Sequence, residues 1–205
     1  MRRQLYPKLI ASVMDLLEEG SSIPESRKAI LGKLVEYLKS TESPKLNFVC
    51  THNSRRSHLA QAWAWAAAMY YEKPGVEVYS GGTEATALFP QAGAALKDAG
   101  FEISVGPELR NARHTLKAGG HLPAIVLFSK RFDDPANPSQ DFCVVTVCSE
   151  AEEACPFVPG ASARVHLPYE DPKAFDGTKR KAAAYIERSQ QIGTELLWAF
   201  GQAYG

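Results

Sequence analysis

The sequence has no excess of charge of either sign. Its 205 residues contain 23 Lys and Arg against 23 Asp and Glu, so the formal net charge is zero. This balance excludes binding of nucleic acid through a broad basic field, but it is compatible with a small local anion site. No run approaches the roughly 20 apolar residues of a membrane span, so we expect no membrane association. The basic N-terminus, Met1–Leu5, is followed by acidic residues, which is not the pattern of a signal peptide.

Cysteine is scarce as well. Four cysteines in 205 residues (Cys50, Cys143, Cys148 and Cys155) are too few for a disulfide scaffold. They favour a reduced, cytoplasmic protein, in which such residues are more often catalytic or metal-binding. No Gly-Lys-Ser/Thr phosphate loop is present at the first strand. The apolar content of 45% can nevertheless supply an ordinary core.

The chain divides into two segments that differ in the spacing of their apolar residues. In residues 1–44, Leu, Ile and Val recur at helical spacing, which predicts an N-terminal pair of helices. From residue 45 to 205, apolar runs alternate with helical patterns, which predicts a single α/β domain with a parallel sheet. The expected strands include Leu46–Cys50 and Val76–Tyr79, then Ala124–Phe128 and Phe142–Val147 as buried parallel strands, with a shorter run at Arg164–Leu167.

The most informative feature is the segment Cys50–Ser57, with the sequence Cys-Thr-His-Asn-Ser-Arg-Arg-Ser. A cysteine ends a predicted strand, five residues intervene, and Arg56 opens a predicted helix. Backbone N–H groups from Thr51, His52, Asn53, Ser54 and Arg55 can surround a tetrahedral oxyanion at the helix N-terminus, and Arg56 can donate two hydrogen bonds to it. The positive surroundings also favour a Cys50 thiolate, to which Ser57 can donate. The alternative is a buried cysteine at a strand end, with arginines that simply face solvent.

This segment resembles the signature of the low-molecular-weight protein tyrosine phosphatase superfamily, which includes phosphatases and thioredoxin-coupled arsenate reductases. The resemblance covers about residues 45–205 and leaves the N-terminal helices outside it. It implies an open four-stranded parallel sheet flanked by helices, with a helical extension added in front. It also implies a cytoplasmic enzyme that acts on arsenate or a phosphate-type oxyanion, holds no bound cofactor or metal, and uses thioredoxin as electron donor if it is a reductase.

A second segment, Cys148–Pro156, is similar to the part of those reductases that carries two redox cysteines. The resemblance implies that Cys50 attacks arsenate, that Cys148 then attacks Cys50, and that Cys155 finally attacks Cys148. Three alternatives compete. The pair can bind metal, although six intervening residues is poor spacing for zinc; it can belong to the core, as we expect for Cys143; or it can protect a phosphatase nucleophile from over-oxidation.

A general acid is needed to protonate the leaving oxygen, and two Asp-Pro pairs are candidates. Asp134 lies in a Pro- and Asn-rich loop, where a turn role is the natural interpretation. Asp171 follows the last predicted strand, and its surroundings resemble the catalytic aspartate loop of the reductases, so we assign it as the acid. Lys173 and its neighbours replace the tyrosine that phosphatases often place there, which favours a reductase.

The sequence departs from the family pattern at Arg55, where many members carry a second cysteine, and at His52, which replaces a common glycine. The leading hypothesis is therefore arsenate reduction through Cys50, Cys148 and Cys155. The second is a phosphatase acting on phosphotyrosine or small phosphomonoesters. A third is a binding or sensor protein. The N-terminal helices can serve as a lid, a partner surface or a means of self-association.

Overall fold

A computed structural model describes residues 4–154 and 157–205, so Cys155 lies outside the described residues. The described chain contains six α-helices and seven strands. The helices are α1 (Pro7–Glu19), α2 (Glu25–Ser40), α3 (Arg56–Tyr70), α4 (Pro90–Ala99), α5 (Ser149–Ala154) and α6 (Lys181–Tyr204), with 3-10 turns at Gly20–Ser22 and Pro172–Phe175. The strands are β1 (Lys45–Cys50), β2 (Glu77–Gly82), β3 (Glu102–Val105), β4 (His114–Lys117), β5 (Ile125–Leu127), β6 (Phe142–Thr146) and β7 (Ala161–His166).

The central sheet consists of four parallel strands in the order β2-β1-β6-β7. All five residues of β6 are buried, and so are the last five of β1, because helices cover both faces of the sheet. The carboxyl ends of these two neighbouring strands therefore meet at one edge of the sheet. The predicted α/β class with an open four-stranded parallel sheet is confirmed.

The prediction that Ala124–Phe128 forms a buried parallel strand is wrong, because this run pairs with a different strand. This run contributes β5, which pairs antiparallel with β4 in a separate sheet of order β3-β4-β5. Leu127 is buried while Val126 is 43% exposed, so the strand buries one face only. A run of three to five apolar residues does not reveal whether both faces are covered, and the parallel position goes instead to the less apolar β7.

The N-terminal helices pack onto the same core as the sheet. Leu9 and Val13 of α1 and Leu31 and Leu34 of α2 are fully buried, and both helices contact α6. Helices α1 and α6 pack closely at Gly193 of α6, because a Cβ atom added there would lie only 2.7 Å from a methyl carbon of Leu16 in α1. In the described part of the chain, no helix is long and apolar enough to cross a bilayer.

Candidate active site

The backbone of the loop between β1 and α3 is arranged for an anion. The carbonyl groups of Thr51, His52 and Ser54 accept hydrogen bonds from surrounding backbone and side chains. Because the C=O and the following N–H of a trans peptide point in opposite directions, the next N–H groups face the other side, toward the loop centre. Within the ranges described, no protein acceptor pairs with the N–H groups of residues 51–55. Such an array of free donors at the start of a helix is called a nest and can surround an anion.

A glycine at the end of β2 lets the loop close. Gly82 pairs with Cys50, and an added Cβ would lie 2.4 Å from the carbonyl oxygen of Glu84 and 2.7 Å from the backbone nitrogen of Asn53. No side chain fits there. Asn53 itself has φ of 42°, so the left-handed residue of the loop is Asn53, which tolerates that conformation, and not the neighbouring His52.

A chain of hydrogen bonds orients a donor toward the Cys50 sulfur. The backbone N–H of Lys130 donates to Asn53 Oδ1 at 2.8 Å, which fixes the orientation of the Asn53 amide. Asn53 Nδ2 then donates to Ser57 Oγ at 2.8 Å. Since Ser57 Oγ accepts there, its own hydrogen is free to point at Cys50 Sγ, 3.1 Å away. All three of these loop side chains are buried, so the geometry is well defined.

Arg56, the first residue of α3, joins the loop to the segment that carries Asp171. One terminal nitrogen donates to the carbonyl of Tyr169 at 2.8 Å, and the other donates to Asp171 Oδ2 at 2.8 Å. The Asp171 side chain is 31% exposed, and its other oxygen caps the 3-10 turn by accepting from the backbone of Lys173. Among the described residues Arg56 Nε has no partner although it is buried. Arg56 Nε can therefore donate to an incoming oxyanion without giving up an existing hydrogen bond.

The side chain of Arg55 turns away from the loop centre. Its Nε donates to the hydroxyl of Tyr185 at 2.7 Å, a terminal nitrogen lies 3.4 Å from Asp176, and the guanidinium stacks 4.2 Å above the Phe89 ring. These partners occupy the side chain at the rim between α4 and α6. Arg55 thus offers its backbone N–H to the loop, while its guanidinium anchors the segment after the 3-10 turn.

The remaining loop side chains point outward. Ser54 Oγ donates to the carbonyl of Ala87 at 2.7 Å, and the half-exposed His52 ring lies 3.8 Å from Glu84. Asp134, the rejected candidate acid, caps its own turn by accepting from the backbone of Ala136. Thr51 is the exception, because its hydroxyl faces a second cysteine.

Cys148 follows β6 and lies beside the loop. Its Sγ is 3.6 Å from Thr51 Oγ1, and the side chain is fully buried. Burial raises the pKa of the Cys148 thiol, while the hydrogen bond with Thr51 and the charge of Arg56 act in the opposite direction. Cys143 lies inside β6, where burial raises the pKa of its thiol to about 12. The structure thus separates a thiol at the loop from a thiol in the core.

A groove of about 800 Å³ opens beside Arg56 and Asp171. Its walls include residues that sequence reasoning missed, namely Tyr169 in the segment after β7, Glu150 of α5 and Arg188 of α6. Arg188 is more than 130 positions from the cysteine loop, and no local pattern marks it. Only the packing of α6 across the sheet edge brings it to the groove.

The parallel sheet carries a cysteine at the end of β1 and a nest of free N–H groups at the start of α3, an arrangement that can hold an oxyanion next to a thiol. No family model matches the chain. The arsenate reductase of Bacillus subtilis is 31% identical over 156 residues, covering 76% of this chain and 94% of that protein. The arsenate reductase of Bacillus licheniformis is 30% identical over 152 residues, covering 73% and 89%.

Among solved structures, a low-molecular-weight phosphotyrosine phosphatase from Vibrio cholerae O395 aligns with a TM-score of 0.51 at 14% identity, covering 76% of this chain and 93% of that one. This likeness concerns the fold. Taken with the two reductases, it places the chain in the low-molecular-weight phosphatase superfamily, close to the arsenate reductases. The protein is an enzyme of that superfamily.

Proposed function

We propose that this protein reduces arsenate to arsenite with electrons from thioredoxin. The observation that carries the proposal is the position of two thiols at one anion-binding loop, where Thr51 touches Cys148 at 3.6 Å and directly follows Cys50. A hydrolytic phosphatase needs only the first of these thiols. A second buried thiol at the same loop fits a reaction that ends in a disulfide.

In the first step the Cys50 thiolate attacks the arsenic atom of arsenate held by the backbone N–H groups and Arg56. A sulfur–arsenic bond forms and an arsenic–oxygen bond breaks, and Asp171 delivers the proton with which the oxygen leaves as water. The nest and Arg56 hold the negative charge of the other oxygens. Ser57 stabilises the sulfur whenever it becomes a thiolate.

In the second step the Cys148 thiolate attacks the Cys50 sulfur. A Cys50–Cys148 disulfide forms, and the electron pair of the sulfur–arsenic bond stays on arsenic, which leaves as arsenite. We assign Cys155, which lies outside the described residues, to the third step, in which it attacks Cys148 and releases the Cys50 thiolate. The dithiol of thioredoxin then reduces the Cys148–Cys155 disulfide. Such a cycle requires reduced thiols at rest, so we assign the protein to the cytoplasm.

The groove favours one alternative, hydrolysis of phosphomonoesters such as phosphotyrosine. A free oxyanion fills only a small part of about 800 Å³, whereas an ester also needs room for its leaving group. The first step would be the same attack by Cys50, now on phosphorus, with Asp171 protonating the leaving oxygen. Water would then hydrolyse the phosphocysteine, and the distal thiols would protect Cys50.

The two functions separate in one coupled assay with Cys148→Ser and, as matched control, Cys143→Ala in the same strand region. With thioredoxin, thioredoxin reductase and NADPH, we expect arsenate-dependent NADPH oxidation by the wild type and by Cys143→Ala. Cys148→Ser should lose roughly 100-fold or more of this turnover, because the arsenic adduct has no thiol to resolve it. Undiminished turnover in Cys148→Ser would refute the relay. Phosphotyrosine hydrolysis that survives Cys148→Ser, with no arsenate-dependent oxidation in any variant, would establish the phosphatase.

A further inference from the structure

An arginine of the N-terminal helices reaches the segment that carries Asp171. Arg27 lies in the first turn of α2, in the part of the chain that the family resemblance leaves outside. Its side chain is only 17% exposed. The segment it reaches, residues 168–171, is called the acid segment below.

The guanidinium of Arg27 is held in one orientation. Nε donates to one carboxylate oxygen of Glu195 at 3.0 Å, and a terminal nitrogen donates to the other. This paired geometry with a carboxylate on α6 fixes the plane of the guanidinium. The Glu195 side chain is 4% exposed, so the pair is shielded from solvent on that side.

The same guanidinium makes two contacts that docking of α2 onto α6 does not require. Its remaining terminal nitrogen donates to the carbonyl of Pro168 at 2.9 Å. Its central carbon lies 4.9 Å from the centre of the Tyr169 ring, which is buried. Arg27 therefore contacts two successive residues of the acid segment.

Arg56 holds the next part of the same segment. It donates to the Tyr169 carbonyl and to the Asp171 carboxylate, each at 2.8 Å. The backbone N–H of Tyr169 donates to the carbonyl of Val147. Two guanidinium groups, one from the extension and one from the oxyanion loop, thus hold successive carbonyls just before the proposed acid.

We propose that Arg27 is a positioning residue for Asp171, so that the N-terminal helices take part in proton delivery. The proposal rests on the proposed role of Asp171 as the acid. Without the bond to Pro168 the acid segment keeps its contacts with Arg56, with the carbonyl of Val147 and with Arg55, whose Nε lies 4.0 Å from Asp171 Oδ1, but it loses its hydrogen bond to α2. The Asp171 carboxyl then samples positions from which the leaving oxygen is out of reach. Binding of the oxyanion, which depends on the loop, stays unchanged.

The test compares Arg27→Lys and the double variant Arg27→Met/Glu195→Gln with the wild type. Arg27→Met alone would leave the Glu195 carboxylate buried without a partner of opposite charge, and the double variant avoids that cost. Lys28→Ala is the matched control, because Lys28 lies in the same turn and, within the part of the chain that the structure describes, forms its ion pair with the neighbouring Glu25. We expect kcat for arsenate to fall roughly 10- to 100-fold in both Arg27 variants with KM nearly unchanged, as for a displaced catalytic group.

A leaving-group comparison separates positioning from general loosening. Hydrolysis of phenyl phosphate needs a proton on the departing oxygen, whereas 2,4-dinitrophenyl phosphate needs very little. The Arg27 variants should therefore lose activity mainly toward phenyl phosphate. Equal losses on both esters, or a rise in KM with unchanged kcat, would overturn the proposal.

A measurement without turnover tests whether Arg27 holds the acid segment in place, whatever reaction the enzyme catalyses. The backbone amides of Tyr169, Lys173 and Ala174 are hydrogen-bonded in this structure. Their hydrogen exchange should be roughly tenfold faster in both Arg27 variants than in Lys28→Ala, because the acid segment opens more often. Unchanged exchange would refute the role of Arg27 even in an active enzyme. A wild type without activity on arsenate or either ester would refute the proposed function alone.

Discussion

The hydrogen-bond chain beneath Cys50 predicts that Asn53→Ala will destabilise the protein strongly. Asn53 is completely buried, accepts from the backbone of Lys130 and donates to Ser57, each at 2.8 Å. Alanine keeps neither bond. It also adopts the φ of 42° less readily than asparagine does.

The magnitude follows from three separate losses. The buried N–H of Lys130 is left without an acceptor, which costs about 1–3 kcal/mol. The bond to Ser57 contributes about 1 kcal/mol, and the left-handed backbone costs alanine about 1 kcal/mol. The free energy of unfolding should therefore fall by about 3–5 kcal/mol. Asn53→Gly avoids the backbone cost and should lose about 1 kcal/mol less.

Equilibrium urea unfolding measures this directly. With an m-value of about 2 kcal/mol/M, the midpoint for Asn53→Ala should shift down by about 1.5–2.5 M at constant m. Alkylation of Cys50 by iodoacetamide, followed by mass spectrometry, should also slow, because Ser57 is no longer oriented toward the sulfur. A midpoint within about 0.5 M of the wild type would show that the inferred hydrogen bonds do not form in solution. An Asn53→Gly variant less stable than Asn53→Ala would instead refute the backbone cost assigned to this position.

Two further predictions concern the neighbourhood of this loop. Burial lowers the pKa of His58 to about 3, below the ordinary value of 6.5, so the unfolded chain takes up the proton first as the pH falls. The free energy of unfolding should therefore have its full value above pH 6.5 and be about 2 kcal/mol lower at pH 5. The urea midpoint of His58→Gln should change less over this range. Equal dependence of the two midpoints on pH would contradict the assignment. Gly82→Ala should displace the loop, because the new Cβ would lie 2.4 Å from the carbonyl oxygen of Glu84. We expect loss of oxyanion binding with the sheet still folded, measured by calorimetric titration of phosphate and by circular dichroism, and unchanged phosphate affinity would contradict this.

The sequence was most informative where structure is local. The helices α1 and α2 and the strands β1 and β6 all follow from helical spacing and apolar runs. The position of the loop Cys50–Ser57 was equally predictable, because the strand that ends at Cys50 and the helix that begins at Arg56 are close together in the sequence. What failed was the pairing of β5, since the run Ala124–Phe128 does not contain the information about which neighbour covers its faces.

The site was less predictable where it depends on distant residues. Arg55 donates to Tyr185 and Asp176, whereas Arg56 donates to Asp171. Nothing in the local sequence distinguishes the two arginines. Both are arginines at the start of one helix. Their different roles come from the placement of α6, and that placement depends on contacts with α1, α2, α3 and α4.

The site, like the whole chain, balances positive against negative charges. In this structure Arg55 lies beside Asp176, and Arg56 donates to Asp171. An oxyanion bound by the Arg56 guanidinium would take over a donor that now serves Asp171, so one hydrogen bond replaces another while the oxyanion adds negative charge beside the Asp171 carboxyl. Binding strength is then a difference between two similar interactions, to which the N–H groups of residues 51–55 add donors that serve no carboxylate. The same exchange leaves the Asp171 carboxyl beside the bound oxyanion, which is where a proton donor is needed.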